Sequence, residues 1–262
     1  MKTTLKYPGS KWSYADWIVS FLPKHKFYVE PYFGSGAVFF KKQPVTYETI
    51  NDLDGLVVNF FKACWDYPEQ LSRAIALTPY ARQEYESVLE KHAGEDIPMT
   101  GDCIEDARRF CIRCCQGFGA KLADRSGWKN TKQSSGPINP RIWSRIPDTV
   151  MQMAQRLKYT QIEKTDAVEL IQACKDSECL IYADPPYLGE VRNFSRLYRK
   201  EMMSREEHER LLDTLLEHKG SVLLSGYDNE LYNQKLQGWH KEQKTGFSNG
   251  AKKMFGNPMD EF

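Results

Sequence analysis

Apolar residues along this chain fall into two kinds of run. The short run Cys179-Leu180-Ile181-Tyr182-Ala183 is unbroken and has the length and content of a buried parallel strand, and Phe27-Tyr28-Val29, residues 47–50 and residues 221–227 also read as strands. Others recur every three or four positions and predict helices: Trp17, Ile18, Phe21 and Leu22 before Pro23; Tyr85, Val88 and Leu89; Ile104, Ala107, Phe110, Cys111 and Cys114; Val150, Met153, Ala154 and Leu157 behind Pro147; and Leu211, Leu212, Leu215 and Leu216. The last opens on the capping box Ser204-Arg205-Glu206-Glu207 and stops at Gly220. Residues 37–42 read as a helix start and residues 239–246 as a further strand. Strands alternating with helices predict an α/β fold, interrupted between residues 60 and 158 by a mostly helical stretch.

With 262 residues the chain holds one large α/β domain and a smaller lobe. Net charge is +1 and says nothing about partners, but residues 108–158 carry eleven Lys and Arg against two acids, an excess of nine. A basic lobe on a balanced protein suggests a polyanion, most simply nucleic acid. The seven cysteines are an odd number, with no signal-peptide or membrane-spanning pattern at the N-terminus, which predicts a reduced, cytoplasmic chain with no membrane association. Cys111, Cys114 and Cys115 suit one buried helix face, so no metal site is expected.

The chemistry collects at strand ends, where open α/β sheets bind ligands. After the run at 179–183 comes Asp184-Pro185-Pro186-Tyr187, a stiff turn lacking two backbone donors. An amino group conjugated to a ring, such as N6 of adenine, could donate to Asp184 and the Pro185 carbonyl while its ring stacks on Tyr187. After Val29 comes Glu30-Pro31-Tyr32-Phe33-Gly34-Ser35-Gly36, whose glycines would let a ligand approach the backbone. Phe39 stands where a dinucleotide-binding turn has its third glycine, which argues against a Rossmann oxidoreductase. After Ile50 comes Asn51-Asp52-Leu53-Asp54; Asp52 is placed to accept from both ribose hydroxyls of a nucleoside, with Asp54 in reserve, although Asp54 better suits a helix N-cap.

Together with Tyr7-Pro8-Gly9-Ser10-Lys11, these stretches, in this order, resemble the Dam-type DNA adenine N6-methyltransferases over about the whole chain. The resemblance implies a Rossmann-like methyltransferase fold, a mixed sheet with helices on both faces and an inserted, mostly helical target-recognition lobe. Residues 1–59 and 159–262 would form the catalytic domain and residues 60–158 the insert. It implies S-adenosylmethionine as cofactor, giving S-adenosylhomocysteine, held by Tyr7, Lys11, Glu30, Tyr32, Gly34, Ser35, Gly36, Asp52, Asp166 and Asp184, with Asp184, Pro185 and Tyr187 as catalytic residues. Asp166 suits an N-cap equally well. Tyr32 replaces the usual Phe, Ser10 replaces a common glycine, and the chain stops about where such proteins run on into a last sheet strand, so that strand is expected to be missing or cut short.

Between Gln116 and Ile146 the periodicity fails, and Gly, basic and aromatic residues suggest a loop or hairpin reaching from the lobe. Arg113, Lys121, Arg125, Lys129 and Lys132 are expected to contact duplex DNA. Arg192 and Arg196, in a segment alternating cations with Phe194 and Tyr198, are expected to order on the backbone around an extruded base. A monomer is expected, with a restriction endonuclease partner left open. Methylation of RNA adenine or of protein glutamine, and a non-catalytic DNA-binding relative, stay as alternatives.

Overall fold

The computed structural model describes residues 5–90, 99–118, 127–130, 138–188, 204–244 and 252–256. In chain order the elements are α1 (Ala15–Val19), β1 (Phe27–Glu30), β2 (Tyr47–Asn51), α2 (Gly55–Asp66), α3 (Pro68–Ala76), α4 (Arg82–Glu90), α5 (Cys103–Gln116), α6 (Ile138–Trp143), α7 (Ile146–Leu157), β3 (Thr160–Glu163), α8 (Ala167–Ala173), β4 (Cys179–Ala183), α9 (Arg205–Glu217), β5 (Ser221–Tyr227), α10 (Glu230–Lys235), β6 (His240–Lys244) and β7 (Lys252–Gly256). One sheet runs β3-β2-β1-β4-β5-β7-β6. Its first five strands are parallel, and β7 enters antiparallel between β5 and β6.

Local chemistry places the ends of these elements. Asp54 accepts from the Leu56 N–H and caps α2, Asp102 caps α5, Asp166 caps α8, and Ser204 closes the expected capping box on α9. Pro68 and Pro147 stand in the first turns of α3 and α7, where a missing N–H costs nothing. All five residues of β4 are buried, as an apolar run between two helical layers requires.

Two apolar clusters cover the two faces of the sheet. One joins α1, α2, α3, α5 and α7 to Tyr28, Ile50 and Leu180, with Phe33, Phe39, Phe40, Phe60, Phe61 and Phe110 at its centre. The other packs α8, α9 and α10 on Val29, Ile181 and Leu224. The first cluster runs without a break from the sheet into the helices between β2 and β3, and the boundary expected at residue 59 falls inside α2. Cys111, Cys114 and Cys115 lie buried on α5 as expected.

Three expectations are corrected. The last strand is present: Lys252–Gly256 pairs with both β5 and β6, and a lysine-rich segment without an apolar run gave no sign of it. Residues 37–42 form successive turns, not a regular helix. Cys174 and Cys179, expected to be reduced, are paired where the end of α8 meets the start of β4. No helix among the described residues is long and apolar enough to cross a membrane.

Candidate active site

Because the chain moves outward from β1 to β2 and β3 and returns at β4, the exits of β1 and β4 part between neighbouring strands. A cleft opens there, as expected at a topological switch point. It is open to solvent, and Tyr7, Lys11, Glu30, Tyr32, Gly34, Ser35, Asp52, Asp166 and Asp184 all line it. Residues from five separate segments therefore meet around one space.

The turn after β1 is fixed from three sides. Gly34 has φ +50° and its N–H donates to Asp52 Oδ2 at 2.8 Å. Asp52 Oδ1 accepts from the Asp54 N–H at 2.9 Å, so each oxygen keeps a lone pair for a ligand. Ser35 bonds Ser10 hydroxyl to hydroxyl at 2.8 Å, which gives the serine that replaces a glycine a structural task. Asn51, fully buried, donates to the Pro31 carbonyl (2.9 Å) and the Thr165 carbonyl (3.1 Å) and accepts from the Thr165 N–H (2.9 Å). One amide thus ties together the exits of β1, β2 and β3.

Gly34 lines the cleft, whereas Gly36 serves a different end from the one expected. A Cβ on Gly36, at φ +64°, would stand 2.4 Å from Phe33 Cζ and 2.8 Å from Phe40 Cε2. Gly36 faces the core and is not among the cleft-lining residues; its missing side chain makes room for the protein's own rings. A Cβ on Gly34 would stand 3.0 Å from the Tyr7 ring, itself part of the cleft wall.

Asp184 faces the cleft and is met by Lys11. The ammonium bonds Oδ1 at 2.5 Å, pairs with Oδ2 as well, and reaches the Gly9 carbonyl at 3.0 Å. Lys11 is 5% exposed and Asp184 17%, so the pair is largely desolvated. Neither Pro185 nor Tyr187 lines the cleft, though Pro186 does. The Tyr187 ring packs at 59° on Tyr227, centroids 4.4 Å apart, with Lys11 Nζ 5.0 Å from its centre. The open face expected of it is covered because β4 and β5 are neighbours whose exits lie side by side.

Two carboxyls in the cleft hold their protons unusually well. Burial pushes Glu30 up to about 8, against the hydrogen bond it accepts from Tyr28 Oη at 2.7 Å. Burial likewise pushes Asp52 up to about 7, against its two backbone N–H bonds. Asp166 spends Oδ1 on capping α8 and turns towards Arg210, 3.3 Å away. Leu53, Thr165, Glu207 and Arg210 also line the cleft and were not anticipated. An exposed leucine beside Asp52 was the one local signal, and Leu53 remains 51% exposed.

Of the expected DNA contacts, Lys121, Arg125, Lys132, Arg192 and Arg196 lie outside the described residues. Arg113 is only 9% exposed on α5, so it is not offered to solvent as a phosphate contact would be. Lys129 is half-buried beside an antiparallel bridge between Gly117 and Trp128, and the Lys129 N–H donates to the Gln116 carbonyl. Burial, with Lys6 alongside, lowers its ammonium to about 8.

Fold and cleft define a doubly wound α/β protein with a ligand-sized site at its switch point and a helical segment between β2 and β3. The chain belongs to the D12 class N6 adenine-specific DNA methyltransferase family, matching it over residues 7–246, and its reaction is methylation of adenine in DNA. The type II methyltransferase M1.LlaDCHI of Lactococcus lactis subsp. cremoris is 27% identical over 260 residues, covering 94% of this chain and 89% of that protein. The crystal structure of SMU.472 complexed with SAH aligns at 10% identity over 98% of this chain and 82% of that one. Its TM-score is 0.28, too slight a likeness to bear on fold or ligand.

Proposed function

We propose that this chain is a site-specific methyltransferase acting on N6 of an adenine turned out of duplex DNA, with S-adenosylmethionine as donor and S-adenosylhomocysteine as product. The observation that carries this reading is the placement of the Asp184 carboxylate in the same cleft as the Gly34-Ser35 turn and Asp52. The residues fit the donor: Asp52 keeps acceptor capacity for ribose hydroxyls, exposed Leu53 offers an apolar face for a base, and buried Glu30 suits a cationic centre. Tyr7, Lys11, Tyr32, Ser35 and Asp166 complete the walls. When bound, this donor supplies a methyl group already activated on a sulfonium.

The chain itself supplies orientation. A base in a duplex cannot reach the bottom of a cleft, so it is extruded at a cost of a few kcal/mol. Asp184 and the Pro185 carbonyl then accept the two amino hydrogens and aim the nitrogen lone pair, a proximity effect. Lys11 pairs with Asp184 until the base arrives, then falls back on the Gly9 carbonyl. Tyr187, packed on Tyr227, backs the turn that carries Asp184. Lys129, and the cations at 121, 125, 132, 192 and 196, contact the DNA backbone. The type II designation of the Lactococcus relative supports a restriction endonuclease partner.

The test is label transfer from methyl-labelled S-adenosylmethionine to duplex DNA, RNA and protein, with the methylated base identified. N6-methyladenine in duplex DNA at a fixed sequence is the expected product. Asp184→Ala should lower turnover at least about 100-fold while still binding S-adenosylhomocysteine. Label found mainly in RNA or protein overturns the substrate, and full turnover by Asp184→Ala overturns the site.

A further inference from the structure

Beneath the turn that follows β1, six residues form a chain of contacts of which only Glu30, at its end, reaches the cleft. Arg156, in the last turn of α7, pairs both guanidinium nitrogens with Glu48, bonding Oε2 and, at 2.8 Å, Oε1. It also donates to the Phe39 carbonyl at 3.3 Å and lies 3.7 Å from the centre of the Phe39 ring. Glu48, on β2 and 4% exposed, takes Lys42 Nζ at 2.5 Å. The Lys42 ammonium sits 4.3 Å from the centre of the Tyr28 ring, and Tyr28 Oη donates to Glu30.

Five of the six come from β1, β2 and the turn between them; Arg156 alone comes from the helices between β2 and β3. Arg156 thus holds the Phe39 carbonyl and also Glu48, whose contacts run on through Lys42 and the Tyr28 ring to Glu30. Movement of α7 therefore has a short, buried path to a residue in the cleft wall. Two cations against the Glu48 carboxylate leave this chain of contacts with a surplus positive charge, and Lys42 offsets a small part of the rise that burial gives Glu30.

We propose that Arg156 is a positioning residue for the methyl-donor site: it seats the Glu48 carboxylate, and through Lys42 and Tyr28 it seats Glu30, so that donor affinity depends on how α7 is seated. This rests on the reading that the cleft holds S-adenosylmethionine. Since α7 packs on α2 and α3, whatever engages those helices changes donor affinity, and the donor changes that engagement by the same factor.

Titration calorimetry with S-adenosylhomocysteine on the wild-type chain, Arg156→Lys and Arg156→Met tests this, alongside steady-state kinetics and thermal melts. Arg156→Lys keeps a charge on Glu48 but cannot hold both the carboxylate and the Phe39 carbonyl. It should raise the Kd for S-adenosylhomocysteine and the KM for the donor by about tenfold, with kcat and the KM for DNA within about twofold. Arg156→Met should weaken binding further; if it does not fold, Arg156→Lys carries the test alone. Arg156→Lys that melts lower or turns over more slowly yet binds S-adenosylhomocysteine as the wild type does has a structural role only, and the inference is overturned. Wild-type protein that fails to bind S-adenosylhomocysteine overturns the cofactor reading and the inference together.

Discussion

Replacing Asp184 by Asn preserves the shape of the side chain and removes its charge. Lys11, 5% exposed, is then left with the Gly9 carbonyl and one amide oxygen. Stripping one partner from a buried ion pair costs about 3–5 kcal/mol. The remaining acceptors reduce this to about 2–3 kcal/mol, because a hydrogen bond to a charged group returns about 1.5–3 kcal/mol. For a chain of this size each kcal/mol moves Tm by about 2–4 °C, so a fall of about 4–12 °C is expected in thermal melts. Lys11→Met should destabilise less, since Asp184 has more contact with water at 17% exposure. The double variant strands neither charge and should melt closer to the wild type than the two single losses added together. Turnover in the label-transfer assay should fall about 100- to 1000-fold in Asp184→Asn, because the amide turns a donor towards the amino group it must accept from. Strictly additive losses would show that the pair does not form, and wild-type turnover in Asp184→Asn would show that no acceptor is needed there.

The two proton-retaining carboxyls make stability depend on pH. Glu30 has its folded value near 8 against 4.5 when unfolded, and Asp52 near 7 against 3.8, so the folded state binds more protons across pH 4–8. Stability should fall as pH rises through that window, and Glu30→Gln should flatten the slope of Tm against pH; an unchanged slope refutes the assignment. Asn51→Ala strands the Pro31 and Thr165 groups and should cost about 3 kcal/mol with weaker binding of S-adenosylhomocysteine, whereas Asn51→Asp, facing two carbonyls, should be worse. Urea unfolding of the two variants checks that order, and equal stability would contradict it. Gly36→Ala should destabilise by about 3 kcal/mol through its positive φ and the Phe33 contact, and Phe33→Leu in the same chain should recover part of the loss. A Gly36→Ala chain as stable as the wild type would remove the packing argument.

What a residue contributes within a few positions of itself was readable from the sequence. The buried strand β4 announced itself as an unbroken apolar run, the Ser204 box announced the start of α9, and Asp54 announced itself as a cap. Asp166 was read both as a cap and as a cleft residue, and the structure has it on the α8 N-terminus and in the cleft wall at once. Gly36 was placed correctly in a turn but for the wrong reason, because the rings that need its space are visible only once Phe33 and Phe40 have folded back on it. The strand β7 escaped notice since two lysines and a methionine carry no strand pattern until β5 and β6 supply partners.

The succession of strands and helices along the chain, β7 apart, and the position of each charged turn at a strand end were therefore set by the chain's own pattern, because backbone hydrogen bonding, capping and burial on a sheet act over one or two helical turns. Which side chains then meet was decided in three dimensions. Lys11 and Asp184 are 173 positions apart, Asn51 and Thr165 114, and Arg156 and Glu48 108. No periodicity reaches across such distances; only the packing of parallel strands side by side, with α7 laid back over the turn after β1, brings those groups within bonding range and out of water.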